Sequence, residues 1–165
     1  YIPQEESSCP QKYWTSARFS RDVLDSMNQA VDLAKKAVSA KRIVLVGFSG
    51  GGAVATLLAS ERDDVAFLAT VGGNLDVGCW VRERRFTPLK ESLDPASVAG
   101  LLHSVPQRHV LGTDDTVIPR ICSRGFVQNV QRAHGRAEFV EVPGYGHNSP
   151  WQKVWNYTYA FQGKE

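Results

Sequence analysis

The stretch Ile43–Gly52 constrains the fold most. It reads Ile-Val-Leu-Val-Gly-Phe-Ser-Gly-Gly-Gly. An aliphatic run, Ile43–Val46, stops at Gly47, and Ala53-Val54-Ala55-Thr56-Leu57-Leu58 follows the glycines. This predicts a buried strand, a tight turn and a helix over Ala53–Ser60. The turn carries Gly-x-Ser-x-Gly as Gly47-Phe48-Ser49-Gly50-Gly51. A serine on such an elbow projects its hydroxyl above the sheet edge. Side chains two positions before and after it are expected to collide with neighbouring elements, hence glycine there. The helix N-terminus aimed at Ser49 suits an anionic intermediate. A phosphate loop would need Gly-Lys-Ser/Thr or Gly-x-Gly-x-x-Gly, and neither is present.

The pattern repeats downstream. Val65–Val71 reads as a second buried strand, closed by Gly72-Gly73. His109–Leu111 begins a third and Ala137–Val142 a fourth. Helices are expected from Ser20, with Val23, Met27, Val31, Ala34 and Val38 on the inner face, at Pro95–Leu102, at Ile118–His134 and from Ser149-Pro150. The last would pack through Trp151, Val154, Trp155 and Tyr159. Asn74–Asp94 reads as an irregular connection with a basic cluster, Arg82, Arg84, Arg85 and Lys90. Tyr1–Phe19 reads as an extended arm anchored by Tyr13, Trp14 and Phe19. Strands alternating with helices imply right-handed crossovers and a parallel α/β sheet.

A serine hydroxyl needs a base, and the base needs an orienting acid. In open α/β sheets, ligands bind beyond the carboxyl ends of strands. Gly112-Thr113-Asp114-Asp115-Thr116-Val117-Ile118-Pro119 follows the third strand, and Pro143-Gly144-Tyr145-Gly146-His147 follows the fourth. His147 is the expected base. Asp115 is the expected acid, with Asp114 and Asp76 as rivals. His103, His109 and His134 are weaker candidates for the base.

With these motifs in the order Ser, Asp, His, the chain resembles the α/β-hydrolase family. The resemblance rests on the elbow, on Gly112-x-x-Asp115-x-x-x-Pro119 and on Gly146-His147, and it covers Ser20 to the C-terminus. Cys9–Phe19 and Gly73-Asn74-Leu75-Asp76 with Trp80 more loosely resemble bacterial envelope-type hydrolases. The resemblance implies a three-layer α/β/α fold and a serine hydrolase acting on an ester-like bond, carboxylester or thioester. Its substrate would be a small molecule or lipid-like ester, cleaved without cofactor or metal. Ser49 would be the nucleophile, and the Gly50 N–H one oxyanion donor. The second donor, which the family takes from a loop after an earlier strand, has no counterpart here. In the family the nucleophile strand lies near the centre of an eight-stranded sheet, whereas here it is the first of four.

The expected domain division is therefore an arm, 1–19, and the C-terminal part of one α/β-hydrolase domain, 20–165. The open edge would take the missing N-terminal part of the domain, a second copy, or the arm. Asn74–Lys90 is the expected lid or substrate-side segment. Two other classes remain open: a non-catalytic binding module that kept the triad residues, and an unrelated nucleotide binder.

Of 165 residues, 42% are hydrophobic and the net charge is +2, so nothing points to nucleic acid. No stretch has the length of a membrane span. No signal peptide is visible, yet the chain starts at Tyr1, which points to a processed or truncated start. Of the three cysteines, Cys79 and Cys122 read as buried free thiols and Cys9 as a disulfide partner without its mate. Cys9 and the looser resemblance point to a periplasmic or secreted protein, with the cytoplasm as the alternative. Asn156-Tyr157-Thr158 matches a glycosylation acceptor but reads as chance.

Overall fold

The computed structural model describes residues 10–154. Four strands, β1 (Ile43–Phe48), β2 (Val65–Val71), β3 (Gln107–Gly112) and β4 (Ala137–Val142), pair in chain order, every pair parallel. Among the described residues the serine strand β1 is an edge, as expected. Helices α1 (Arg21–Ala37), α2 (Gly50–Glu61), α3 (Val77–Arg84) and α4 (Arg120–Arg132) alternate with them.

The sheet's two faces differ. On one, Leu68 of β2 and Ala55 and Ala59 of α2 meet Phe126, Val127 and Val130 of α4, with Ile43, Leu45 and Phe139 at the margin. Burying a side chain the size of Phe126 stabilises by roughly 1.5–3 kcal/mol. On the other, Val71, Val110 and Val142 gather Val140, Tyr145 and Trp151. Val44, Val46 and Phe48 lie toward the open end of that face and are 38–46% exposed.

Several expectations are corrected. α1 turns a different face inward. Leu24 is its buried residue, Val31 packs beside it, and Met27 and Val38 are exposed. The rotation is set by Asn28, Asp32 and Lys35, which reach Arg62 and Asp64. Ser20 sits at the cap position, but its hydroxyl makes no capping bond. α2 begins three residues earlier than expected, because Gly50–Gly52 form its first turn. Asn74–Asp94 is not wholly irregular, since it contains α3. Asp76 caps that helix by accepting from the Cys79 N–H, and Asp94 accepts from the Val77 and Gly78 N–H groups. The expected helix after Pro95 is a 3-10 helix over Pro95–Ser104. β3 starts two residues earlier, at Gln107, and α4 starts after Pro119, with Ile121 facing outward.

Cys79 and Cys122 are not free thiols. They form a disulfide between α3 and α4. The described part of the arm holds a 3-10 turn, Gln11–Trp14. Phe19 is buried against α1 and α2, whereas Trp14 is half-exposed. Residues Ser16 and Phe19 bond to Glu91, Ser92 and Leu93 rather than to β1. Cys9, Trp155, Tyr159 and the Asn156 acceptor lie outside the described residues.

Candidate active site

Ser49 sits between β1 and α2 with φ 52° and ψ −121°, a conformation sterically unfavourable for a residue with a Cβ. Its N–H donates to the Val71 carbonyl, and its carbonyl accepts from the Asn74 and Gly52 N–H groups. Those three bonds hold the strained unit between β1, β2 and α2. A Cβ on Gly47 would fall 2.4 Å from the Gly51 carbonyl oxygen, so the glycine before the serine is sterically required. The expectation for Gly51 is corrected. Nothing lies within 4 Å of a Cβ there, and the crowded position is Gly52, where a Cβ would stand 2.7 Å from the Gly73 Cα.

The three loops meet at the carboxyl edge of the sheet. His147 Nε2 is 3.0 Å from Ser49 Oγ, and His147 Nδ1 is 2.8 Å from Asp115 Oδ2. A carboxylate accepts, so Nδ1 carries the proton and Nε2 is left to accept from the serine. The Asp115 side chain is fully buried and that of His147 is 10% exposed. The second Asp115 oxygen accepts from the Val117 and Ile118 N–H groups. The acid and histidine loops are also laced together. Thr113 N–H donates to the Val142 carbonyl, Asp114 N–H to the Tyr145 carbonyl, and Gly144 N–H to Thr113 Oγ1. A Cβ on Gly112 would overlap the Tyr145 carbonyl at 1.8 Å. The Phe48 ring lies 4.9 Å from the imidazole, and the Trp151 indole donates to the His147 carbonyl.

Gly50 is the first residue of α2, so its N–H is among those with no partner inside the helix. The rivals lie elsewhere. Asp76 caps α3, and Asp114 accepts from the Thr113 hydroxyl. His109 is buried between Thr70 and Gln107, and burial pushes its imidazole down to about 3. His103 is exposed near Gly100, and His134 follows α4 with φ 63°.

Gly72 is a site residue that reading the sequence misses. Its φ is +52°, and a Cβ there would sit 3.1 Å from the imidazole and 3.2 Å from Asp115 Oδ2. The Gly72-Gly73 pair ending β2 was its only signal. Within the expected lid, Trp80, Phe86, Pro88 and Leu89 line a cavity of about 530 Å³ whose other wall includes Ser16 and Arg18. Among the described residues no group of three or more His, Cys, Asp or Glu is placed to hold a metal. No helix among them is long and apolar enough to cross a membrane.

A family model described as phospholipase/carboxylesterase matches residues 15–159. A Klebsiella pneumoniae protein provisionally assigned as a dienelactone hydrolase superposes with TM-score 0.63 at 23% identity, over 83% of this chain and 53% of its own. An esterase of Pyrococcus furiosus superposes with TM-score 0.63 at 15% identity, over 80% and 56%. An acylaminoacyl peptidase of Pyrococcus horikoshii gives 0.60 at 15%, over 75% and 23%. At these identities the likeness establishes the fold: parallel α/β, of the α/β-hydrolase type. The chain spans about half the length of the first two structures. No curated protein matches the sequence.

Proposed function

This chain belongs to the phospholipase/carboxylesterase family, and from that premise we propose that it carries the nucleophile, base and acid of a serine hydrolase cleaving a carboxylester or thioester. The observation behind the reading is the continuous hydrogen-bond chain from Ser49 Oγ through His147 to a buried Asp115. His147 takes the serine proton as Oγ attacks the carbonyl carbon, and Asp115 holds the imidazole in the required tautomer. The Gly50 N–H and the α2 dipole face the oxygen on which negative charge develops. The imidazolium returns its proton to the leaving alcohol or thiol. Water then repeats the sequence on the acyl-serine and frees the acid. The substrate is a small or lipid-like ester, since the family name covers both.

Residues 20–165 make up the C-terminal part of the domain and 1–19 its arm. The second oxyanion donor comes from an upstream part of the domain or from a second copy, seated at the β1 edge. A periplasmic or secreted location accords with the Cys79–Cys122 disulfide, since such bonds persist mainly in oxidising compartments.

A fluorophosphonate probe tests the chemistry. Wild type, studied both as this segment and within its full-length gene product, should label at Ser49, and Ser49→Ala should not. Folded full-length protein that stays unlabelled would reduce the chain to a binding module, the second reading, which the half-length match keeps open.

A further inference from the structure

We propose that α3 positions the catalytic acid: Trp80 and Arg84, kept in place by the Cys79–Cys122 bridge, hold the loop that seats Asp115 on His147. This rests on the serine-hydrolase reading above.

The first half of the acid loop, Thr113 and Asp114, is laced to the histidine loop, and the second half, from Thr116 to Val117, is not. Thr113, Asp114, Thr116 and Val117 are exposed, and the segment belongs to no ladder. In that second half, the Val117 peptide unit and its neighbour make the bonds to Asp115. The Val117 N–H, with that of Ile118, donates to Asp115 Oδ1. The Val117 carbonyl accepts from Trp80 Nε1 and from Arg84 Nε, each at 3.1 Å. Residue 117 is thus gripped on its N–H by the acid and on its carbonyl by α3.

Trp80 and Arg84 are four apart, so both project from one face of the helix. The residue beside Trp80, Cys79, is covalently tied to Cys122, whose N–H donates to the Pro119 carbonyl at the end of the same loop. The helix is itself anchored, because Asp76 and Asp94 accept its first N–H groups. The loop therefore has a fixed start in β3, a fixed end in α4, which is packed in the core and also tied to α3 through Cys122, and a grip in the middle that depends on α3. Trp80 and Arg84 touch no reacting atom, so they are positioning residues. A displacement of about 1 Å at a reacting group can cost roughly a hundredfold in rate. Freeing Val117 should cost part of that.

The test uses the full chain and a fluorophosphonate, separating the limiting inactivation rate from the half-saturating concentration. Trp80→Phe, Arg84→Met and wild type reduced with a phosphine should each lower the limiting rate about tenfold or more, with half-saturation unchanged. Arg82→Ala, on the same helix but exposed, should keep the wild-type rate. In parallel, the far-downfield proton resonance of the His147 Nδ1–H should weaken or shift in the three perturbed proteins while the rest of the spectrum stays folded. Wild-type rates and an unchanged downfield proton in folded Arg84→Met and reduced protein would overturn the proposal. If wild type itself fails to react, the hydrolase reading falls, and the downfield proton alone decides whether α3 seats Asp115.

Discussion

Asp115 divides its carboxylate between two tasks, one oxygen on His147 and the other on the amides of Val117 and Ile118. Replacing it with asparagine keeps the shape but reverses the donor pattern that fixes the imidazole tautomer. Asp115→Asn should therefore lower the labelling rate by about 10⁴. Asp76→Asn should keep most of the rate, because Asp76 lies away from His147 and an asparagine side-chain oxygen still accepts from the Cys79 N–H at the α3 N-terminus. His109 makes a different prediction. Its folded value of about 3 lies below the ordinary 6.5, so folding excludes a proton that the unfolded chain binds. Its contribution to stability is whole above pH 6.5 and is lost as pH falls toward 3, at up to about 1.4 kcal/mol per pH unit. Denaturant titrations across that window should show the slope, and His109→Gln should flatten it. Ser49, Asp115 and His147 were legible because each sits in a short glycine-punctuated motif after a strand. Gly72 was not, because what makes it necessary is two side chains from distant loops. The cysteine pair was hidden by its separation of 43 residues and by an odd count.

Helices show where periodicity informs and where it fails. α2 is legible from an apolar run and α4 from spaced apolar residues, of which Cys122, Phe126, Val127 and Val130 are buried and Ile121 is not. α1 was found but rotated, since its inner face is decided by polar partners. Arg62 donates to both Asp64 oxygens, at 2.8 and 2.7 Å, and reaches Asp32 and Asn28, while Lys35 joins Asp64. The Arg62 and Asp64 side chains are about one-tenth exposed. Removing one partner strands the other, so Arg62→Ala should destabilise by about 3 kcal/mol in chemical denaturation. Hydrogen bonds from Arg62 hold the Asp64 carboxyl well below the usual range. That stabilisation is present above about pH 4 and is lost as pH falls further, so wild type and Asp64→Asn should converge in acid. α3 escaped the sequence because eight residues reading Val-Gly-Cys-Trp-Val-Arg-Glu-Arg carry little apolar period. Two carboxylate caps and a disulfide hold it, and these come from outside the helix.

The parallel pairing is legible in the alternation of strands and helices, and the serine strand's edge position in its being the first of four; the order β1-β2-β3-β4 comes from the structure. The partner of that edge could not be read, because pairing depends on backbone that lies elsewhere. β1 has a neighbour only in β2 among the described residues, and Val44, Val46 and Phe48 leave apolar surface beside its open side. Such an edge templates pairing. Sedimentation of this segment over a wide concentration range should show self-association, which Val46→Lys should weaken. A monomer throughout would count against a second copy there and favour an upstream segment. Chain order also carries a temporal consequence. Ser49 and His147 lie 98 residues apart. At about 5–20 residues per second, a growing polypeptide spends roughly 5–20 s with Ser49 made and His147 still unsynthesised. If Ser49 and His147 act together as proposed, hydrolytic power is withheld until the histidine loop emerges, and a product terminated after β4 would be chemically silent.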